Sequence, residues 1–160
     1  MIKKSLQLIL FILLFALLIA GYLTKDKLNN YIGNMMQTQV GTYTTNALER
    51  KIDSVYNYSK NGSGFEITFL EFGANCPACK RMEAVMADIR KKYPEKVNVV
   101  FFNILKPENQ KLMKYYGIAA IPTQVLLDNN GIEFFRHTGF IATEELQSRM
   151  KLNSFSANSN

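Results

Sequence analysis

Two cysteines three positions apart, Cys76 and Cys79, constrain the fold of this chain most, because they are its only cysteines. An apolar run rich in β-forming residues, 65–72, leads into them, and a helical pattern follows. The pair is therefore expected at a strand-to-helix turn, with Cys76 at the helix N-terminus. Unpaired backbone N–H groups and the helix dipole stabilise a thiolate at such a position. We predict that Cys76 is a nucleophile and that Cys79, one helical turn later, is the resolving thiol.

Three other roles for this cysteine pair remain as alternatives. A zinc site needs about four ligands, and the chain adds only His137 to the two cysteines, so we expect no metal. A structural disulfide across so short a loop would contribute little stability. Two inert buried thiols would share this spacing only by coincidence, since the spacing within a βα pattern is typical of redox motifs. The pattern thus favours a redox pair.

The N-terminal run of residues 6–23 is almost entirely apolar and long enough to cross a bilayer as a helix. Lys3 and Lys4 precede it, which favours a cytoplasmic N-terminus and places the following residues outside. We predict a single-pass anchor in the inner (cytoplasmic) membrane, with a catalytic domain in the periplasm. Ala20 and Gly21 are small enough to belong to a signal-peptidase site, and cleavage there would make the protein secreted.

Composition divides the chain into four parts. Residues 1–23 form the anchor, 24–45 a polar linker with a short helix near 27–36, 46–152 one globular domain, and 153–160 a flexible tail. A chain of 160 residues with 48% hydrophobic residues is long enough for one domain of ordinary core size. The formal charge of +6 is scattered and no nucleic-acid-binding motif accompanies it, so we expect no nucleic-acid partner.

Hydrophobic periodicity predicts alternating strands and helices in the globular part. Runs of strand type cover residues 65–72, 97–104, 123–127 and 132–136, and helical spacing covers 46–58, 77–93, 107–116 and 143–150. The turn signal Asp128-Asn129-Asn130-Gly131 joins the last two strands as an antiparallel hairpin. Thr143 is expected to cap the last helix. The predicted fold class is α/β, a mixed sheet with helices on both faces.

Several motifs together resemble the thioredoxin family over residues 47–150. They are Cys76-Pro77-Ala78-Cys79-Lys80, Tyr116-Gly117-Ile118-Ala119-Ala120-Ile121-Pro122-Thr123 and Gly139. The resemblance implies a thioredoxin-like fold and a redox-active Cys76–Cys79 disulfide, with no bound cofactor. It also implies a cis-proline loop packed against the cysteines, so that the substrate-binding residues would be Asn75, Pro77, Ala78, Ile121, Pro122 and Thr123.

Two departures from the familiar thioredoxin pattern concern residues near the cysteines. The chain has no tryptophan, and Asn75 stands where the common motif has an aromatic residue. The buried acid that many thioredoxins use as a proton acceptor should fall near Leu70. Glu71, one residue on, would point to the opposite face of the strand. We keep Glu71 as a candidate proton acceptor for Cys79, with a solvated or capping carboxylate as the alternative.

The leading functional hypothesis is a membrane-tethered thiol:disulfide oxidoreductase that reduces protein disulfides outside the cytoplasm. Strong oxidants of the superfamily often have a histidine between the cysteines, whereas Pro77-Ala78 has none, which favours a reductase. The expected partners are protein disulfide or dithiol substrates and a transmembrane electron carrier of the DsbD or CcdA kind. A dithiol oxidant or isomerase for exported proteins and a non-enzymatic binding module are the alternatives.

Overall fold

A computed structural model describes residues 2–151, so the predicted tail 153–160 lies outside the described residues. In chain order the elements are α1 (Ile2–Thr38), α2 (Thr42–Tyr56), α3 (Tyr58–Asn61), β1 (Ile67–Gly73), α4 (Pro77–Lys92), β2 (Val97–Asn103), α5 (Pro107–Tyr115), β3 (Thr123–Leu127), β4 (Glu133–Thr138) and α6 (Thr143–Met150). From β1 onward, the predicted elements are confirmed in type and order, with ends that differ by two residues or fewer.

The four strands form one sheet in the order β2-β1-β3-β4. β1 and β2 are parallel, because α4 carries the chain back between them, and β3 is antiparallel to both β1 and β4. The predicted hairpin joins β3 to β4, and Asp128 Oδ1 accepts the N–H groups of Asn130 and Ile132 at 2.9 Å each. The central strand β1 is therefore buried along its whole length, and it ends three residues before Cys76.

Helices cover both faces of the sheet, as predicted. Side chains alternate along each strand, so Phe69 and Leu126 point to one face, which we call the α4 face, and Leu70 and Val125 to the other. The α4 face packs against α4 and α6 through Ile67, Phe69, Met82, Val85, Met86, Ile89, Val97, Leu126, Ile141, Leu146 and Met150. The opposite face packs against α2, α3 and α5 through Ile52, Tyr56, Tyr58, Leu70, Phe72, Tyr116, Ile118, Val125 and Leu127.

The N-terminal helix is longer than the sequence predicts. A polar linker with a short helix near residues 27–36 is expected over residues 24–45, and in the structure that helix is part of α1, which continues without a break to Thr38. No proline interrupts this segment, and extending an existing helix costs little because nucleation is the unfavourable step. The helix is therefore longer than the predicted 27–36, and the irregular connection between α1 and α2 is limited to residues 39–41.

The C-terminal part of α1 is docked on the domain. The backbones of Gly33 and Gly117 touch, so a Cβ at Gly33 would overlap the Gly117 carbonyl oxygen. Gln37 Nε2 also donates a hydrogen bond to Tyr115 O at 3.0 Å. Further toward the N-terminus, none of the 20 residues of Leu6–Lys25 is buried, and this stretch is long and apolar enough to cross a membrane. One helix thus joins a candidate membrane span to the domain.

Two predicted helix ends differ from the structure. α2 begins at Thr42, four residues early, and ends at Tyr56 rather than at residue 58. Thr143 does not cap α6. Ala142 occupies the N-cap position without a side-chain hydrogen bond, and Thr143 Oγ1 instead donates to Asp88 Oδ2 at 3.3 Å. The threonine therefore ties α6 to α4 and not to its own first turn.

Candidate active site

Cys76 is the N-cap residue of α4, at the predicted strand-to-helix turn. Its backbone is extended, with φ −107° and ψ 155°, and Pro77 begins the helix. Proline is favoured at the first helical position, where its missing N–H would have no partner. Cys76 Sγ accepts a hydrogen bond from the Cys79 N–H at 3.1 Å. The sulfur lies where free N–H groups and the helix dipole stabilise negative charge.

The two cysteines form a disulfide, and their Cα atoms are 5.0 Å apart. Cys79 is only 5% exposed, and its Sγ accepts a hydrogen bond from the Ala74 N–H at 3.5 Å. Cys76 is partly exposed. The first sulfur can therefore be attacked from solvent, while the second is held behind it.

Gly73, the last residue of β1, leaves room for the buried sulfur. A Cβ at this position would lie 3.6 Å from Cys79 Sγ and 3.0 Å from Cε2 of Phe101. Contacts as short as 3.0 Å force a neighbour to move. The absence of a side chain at Gly73 thus lets α4 bring the disulfide against the α4 face of the sheet.

The predicted cis-proline loop lies at the same end of the sheet as the cysteines. The Ile121–Pro122 bond is cis, and Thr123 pairs with Phe72 near the end of β1. The Gly139 N–H donates to Pro122 O at 2.8 Å. Pro122 and Thr123 are buried and Ile121 is partly exposed. On the other side of the site, Asn75 and Pro77 are exposed and Ala78 is partly exposed.

Glu71 lies on the α4 face, the face of the buried cysteine. It is two residues from both Phe69 and Gly73 on β1 and therefore points to the same side, whereas Leu70 packs on the opposite face. Glu71 is 1% exposed, so the solvated or capping alternative is wrong. Burial raises the pKa of Glu71 to about 8, although a hydrogen bond from Gln124 acts in the opposite direction. The carboxyl group is mostly protonated at neutral pH.

A family model for a thioredoxin-like domain matches residues 53–153. The chain belongs to the thioredoxin family. The structural neighbours of this thioredoxin-family chain include a malarial protein, 23% identical, with a TM-score of 0.50, matched over 54% of this chain and 94% of the other. Thioredoxin-2 of the malaria parasite is 23% identical, with a TM-score of 0.50 and coverage of 56% and 93%. Oxidised thioredoxin O2 of Arabidopsis thaliana is 21% identical, with a TM-score of 0.51 and coverage of 64% and 86%.

At these identities, the likeness to solved structures shows the fold of this thioredoxin-family chain and nothing further. No curated protein matches the chain. Within residues 2–151, no group of three or more His, Cys, Asp or Glu side chains is placed to hold a metal ion.

Sequence reasoning missed Gln124 of this thioredoxin-family chain. Gln124 is fully buried on β3, directly opposite Glu71, and its Nε2 lies 3.0 and 3.4 Å from the two Glu71 carboxyl oxygens. The signal was a polar residue in the middle of each of two apolar strands. Periodicity alone could not show that antiparallel pairing places the two side by side.

Proposed function

We propose that this chain is a thiol:disulfide oxidoreductase that reduces disulfides of extracytoplasmic proteins through Cys76 and Cys79. The observation that carries the proposal is the difference between the two sulfurs. Cys76 is partly exposed at a helix N-terminus, whereas Cys79 is buried one turn later and bonded to it. A thiolate at Cys76 would be stabilised and accessible to a substrate disulfide. Cys79 is close enough to displace the substrate afterwards.

The reaction has two exchange steps. The Cys76 thiolate attacks one sulfur of a substrate disulfide, a mixed disulfide forms, and the other substrate sulfur leaves as a thiolate that takes a proton from water. Cys79 then loses its proton and attacks Cys76 Sγ, which releases the remaining substrate sulfur. The substrate gains two electrons, and the enzyme is left with the Cys76–Cys79 disulfide.

Glu71 is the proton acceptor that we propose for Cys79 in the second step. A Cβ at Gly73 would lie 3.6 Å from Cys79 Sγ, and two residues of strand separate the Cα atoms of Glu71 and Gly73 by about 7 Å. The proton passes between thiol and carboxylate directly or through one water molecule. Burial raises the pKa of Glu71 to about 8, so its carboxylate is a stronger base than an exposed carboxylate, which favours transfer of the Cys79 proton to it.

The substrate chain is proposed to lie between the cysteine turn and the cis-proline loop. Asn75, Pro77 and Ala78 would line one side, and residues 121–123 the other. Because Pro122 and Thr123 are buried, they would offer backbone atoms to the substrate, and Ile121 would offer its side chain. Backbone recognition of this kind suits an enzyme that acts on several extended peptides.

The direction of electron flow is proposed from the residues between the cysteines. Pro77 and Ala78 carry no charge, so they add no stabilisation to the Cys76 thiolate, and we expect a potential of about −200 to −270 mV rather than about −120 mV. Equilibration of the full-length chain with glutathione, followed by quantification of free thiols, measures it. A potential above about −150 mV would show that the chain is an oxidant.

The proposed location follows from α1 and the charges that flank its apolar stretch. Leu6–Lys25 would span the inner membrane, with the catalytic domain in the periplasm. Because no cytosolic reductant reaches that side, electrons would come from a transmembrane carrier of the DsbD or CcdA kind. The clients are proposed to be exported proteins with disulfides, since the tether confines the site to that compartment.

A trapping experiment tests the proposed function. Cys79→Ser leaves Cys76 able to attack and removes the resolving sulfur, so mixed disulfides with client proteins should accumulate in cells. Cys76→Ser and the double variant Cys76→Ser, Cys79→Ser are the matched controls and should trap nothing. Insulin reduction by the purified chain should be lost in all three variants. Full insulin reduction by Cys76→Ser would overturn the proposed roles.

A further inference from the structure

Gln124 leaves one polar atom without a partner at the centre of the protein. Its Oε1 is buried and accepts no hydrogen bond within the described part of the chain, while its Nε2 faces both oxygens of Glu71. A buried acceptor without a donor destabilises the folded protein. A neighbouring group that could donate a hydrogen bond to Gln124 Oε1 would remove this destabilisation.

A protonated Glu71 is such a donor. A neutral carboxyl group has one O–H and one carbonyl oxygen, and a primary amide has N–H donors and one carbonyl oxygen. Placed side by side, the two groups satisfy each other with an O–H···O bond and an N–H···O bond. The hydrogen-bond partners of a side-chain amide determine which way its oxygen and its nitrogen point. Rotation of the Gln124 amide can therefore present Oε1 to that O–H.

We propose that Gln124 is a positioning residue for proton transfer, which pairs with Glu71 in both of its protonation states by turning its side-chain amide. With ionised Glu71, Nε2–H donates to the carboxylate and Oε1 has no partner. With protonated Glu71, Oε1 accepts the carboxyl O–H and Nε2–H donates to the other oxygen. The pair thus stores the proton that Cys79 gives up in the resolving step and returns it when the disulfide is next opened.

This inference rests on the proposed function, and its proton balance follows from it. When a reductant thiolate attacks Cys76 Sγ, the Cys76–Cys79 bond breaks and Cys79 leaves as a thiolate. Glu71 then gives its proton to Cys79, and the reductant sulfur is held in a mixed disulfide with Cys76. A second thiolate of the reductant then attacks the reductant sulfur of the mixed disulfide, and Cys76 leaves as a thiolate. Two electrons have entered the enzyme, and Glu71 is ionised again.

The groups around the pair leave few other proton donors or acceptors. On the α4 face, Phe69 and Gly73 flank Glu71 along β1. Phe101 lies opposite Glu71 on β2, and Gln124 lies opposite it on β3. His137 on β4 is opposite Gln124, and its Nε2 lies 3.3 Å from Phe140 O. On α4, Cys79 Sγ lies 3.6 Å from the position of a Cβ at Gly73. Among these groups in the described residues, the ones that can exchange protons are Cys79, once the disulfide is open, and, one strand further, His137.

The first test follows both side chains of the full-length chain by carbon-13 NMR across the pH range. In the oxidised wild-type protein, the Gln124 amide carbonyl signal should shift with the same midpoint as the Glu71 carboxyl signal, because Oε1 gains and loses the carboxyl O–H. This measurement needs no variant. A Gln124 signal that does not move while Glu71 titrates would overturn the proposal.

The second test uses Gln124→Met, which keeps the length of the side chain and removes both hydrogen bonds. Without the Nε2 donor, the carboxylate loses stabilisation, so the Glu71 midpoint should rise by about one pH unit. The resolving step, measured as release of a mixed disulfide at pH 7, should slow by about tenfold, which corresponds to one pKa unit. Gln124→Asn, with a shorter amide, should restore part of the rate.

Glu71→Gln provides the matched control, because it removes the proton and keeps the shape. In a Glu71→Gln background, Gln124→Met should cause no further change in the pH profile of the resolving step. An equal slowing in both backgrounds would show a merely structural role and overturn the proposal. Mixed disulfides trapped by Cys79→Ser would persist in that case, so the proposed function would stand without the proton pair.

Discussion

Cys76 and Cys79 differ in exposure because of their places in the first turn of one helix. The N-cap residue lies outside the helix proper and faces solvent, whereas a residue three positions later turns toward the sheet. The short spacing that permits a disulfide therefore also sorts the two sulfurs into an accessible one and a shielded one. This part of the site could be predicted from sequence, because it depends only on local helix geometry.

The buried carboxyl of Glu71 predicts an unusual pH dependence of stability. Its pKa is about 8 in the folded protein and 4.5 in its ordinary state. Between these values the folded protein keeps a proton that the unfolded chain releases, so the free energy of unfolding should fall as pH rises from 4.5 to 8. The slope from this group approaches about 1.4 kcal/mol per pH unit. Urea unfolding of the oxidised full-length chain in detergent, at pH 5 and pH 8, measures the loss.

The control for this prediction is an exposed carboxyl on the neighbouring helix. Glu71→Gln should remove most of the pH dependence, while Glu83→Gln, on the exposed side of α4, should keep it. If Glu71→Gln and the wild-type chain lost stability in parallel, the buried carboxyl would not be the cause.

The pairing of Glu71 with Gln124 marks the limit of sequence reasoning at the level of single residues. Alternation along β1 indicates that Leu70 and Glu71 face opposite ways, but not which face α4 covers. The register between β1 and β3, which places Gln124 opposite Glu71, depends on contacts distant in sequence. The cysteine pair can be recognised from its spacing along the chain, whereas the pairing of Glu71 with Gln124 can be recognised only once the sheet is assembled.

Among the elements, the strands and helices of the domain and the apolar part of α1 followed from their hydrophobic patterns, whereas the unbroken continuation of α1 to Thr38 did not. Beyond residue 25, α1 approaches the domain through Gly33. Because glycine has no side chain, no apolar stripe in the sequence indicates this contact. The helix is held by backbone proximity to Gly117 and by the Gln37 to Tyr115 hydrogen bond. Contacts of this kind leave little trace in a hydropathy pattern.

The docking of α1 predicts that Gly33→Ala loosens the helix from the domain. A Cβ at Gly33 would overlap the Gly117 carbonyl oxygen, and crowding in a packed contact costs about 1–3 kcal/mol. Hydrogen exchange of the full-length chain should accelerate by about tenfold for residues 115–122, because 1.4 kcal/mol is a factor of ten.

Gly21→Ala is the matched control, since it lies in the same helix and a Cβ there would meet nothing within 4 Å. It should leave exchange in residues 115–122 unchanged. The same exchange rates in Gly33→Ala as in the wild-type chain would mean that the glycine contact does not hold α1 in place.

For the whole molecule, one helix connects the candidate span to the segment that leads into the cis-proline loop. The 13 residues of α1 after Lys25 rise about 20 Å. Gly33, which is one of them, lies beside Gly117, five residues before Pro122. A docked helix of this length would hold the catalytic domain close to the membrane surface. Its clients would then be proteins at or near that surface.

Orientation in the membrane gives the last prediction. Lys3 and Lys4 before the apolar stretch favour a cytoplasmic N-terminus, so a cysteine at Ser5 should be shielded from a membrane-impermeant maleimide in intact cells. A cysteine at Ser63, in the loop before β1, should react.

Both single cysteines are placed in the Cys76→Ser, Cys79→Ser background, and permeabilised cells serve as the control in which both positions should label. After an alkaline wash the chain should stay with the membrane, because a predominantly apolar helical stretch of 20 residues in the bilayer is not released by loss of surface contacts. Release by the wash would indicate that the N-terminal helix is cleaved, and labelling at Ser5 without labelling at Ser63 would reverse the proposed topology.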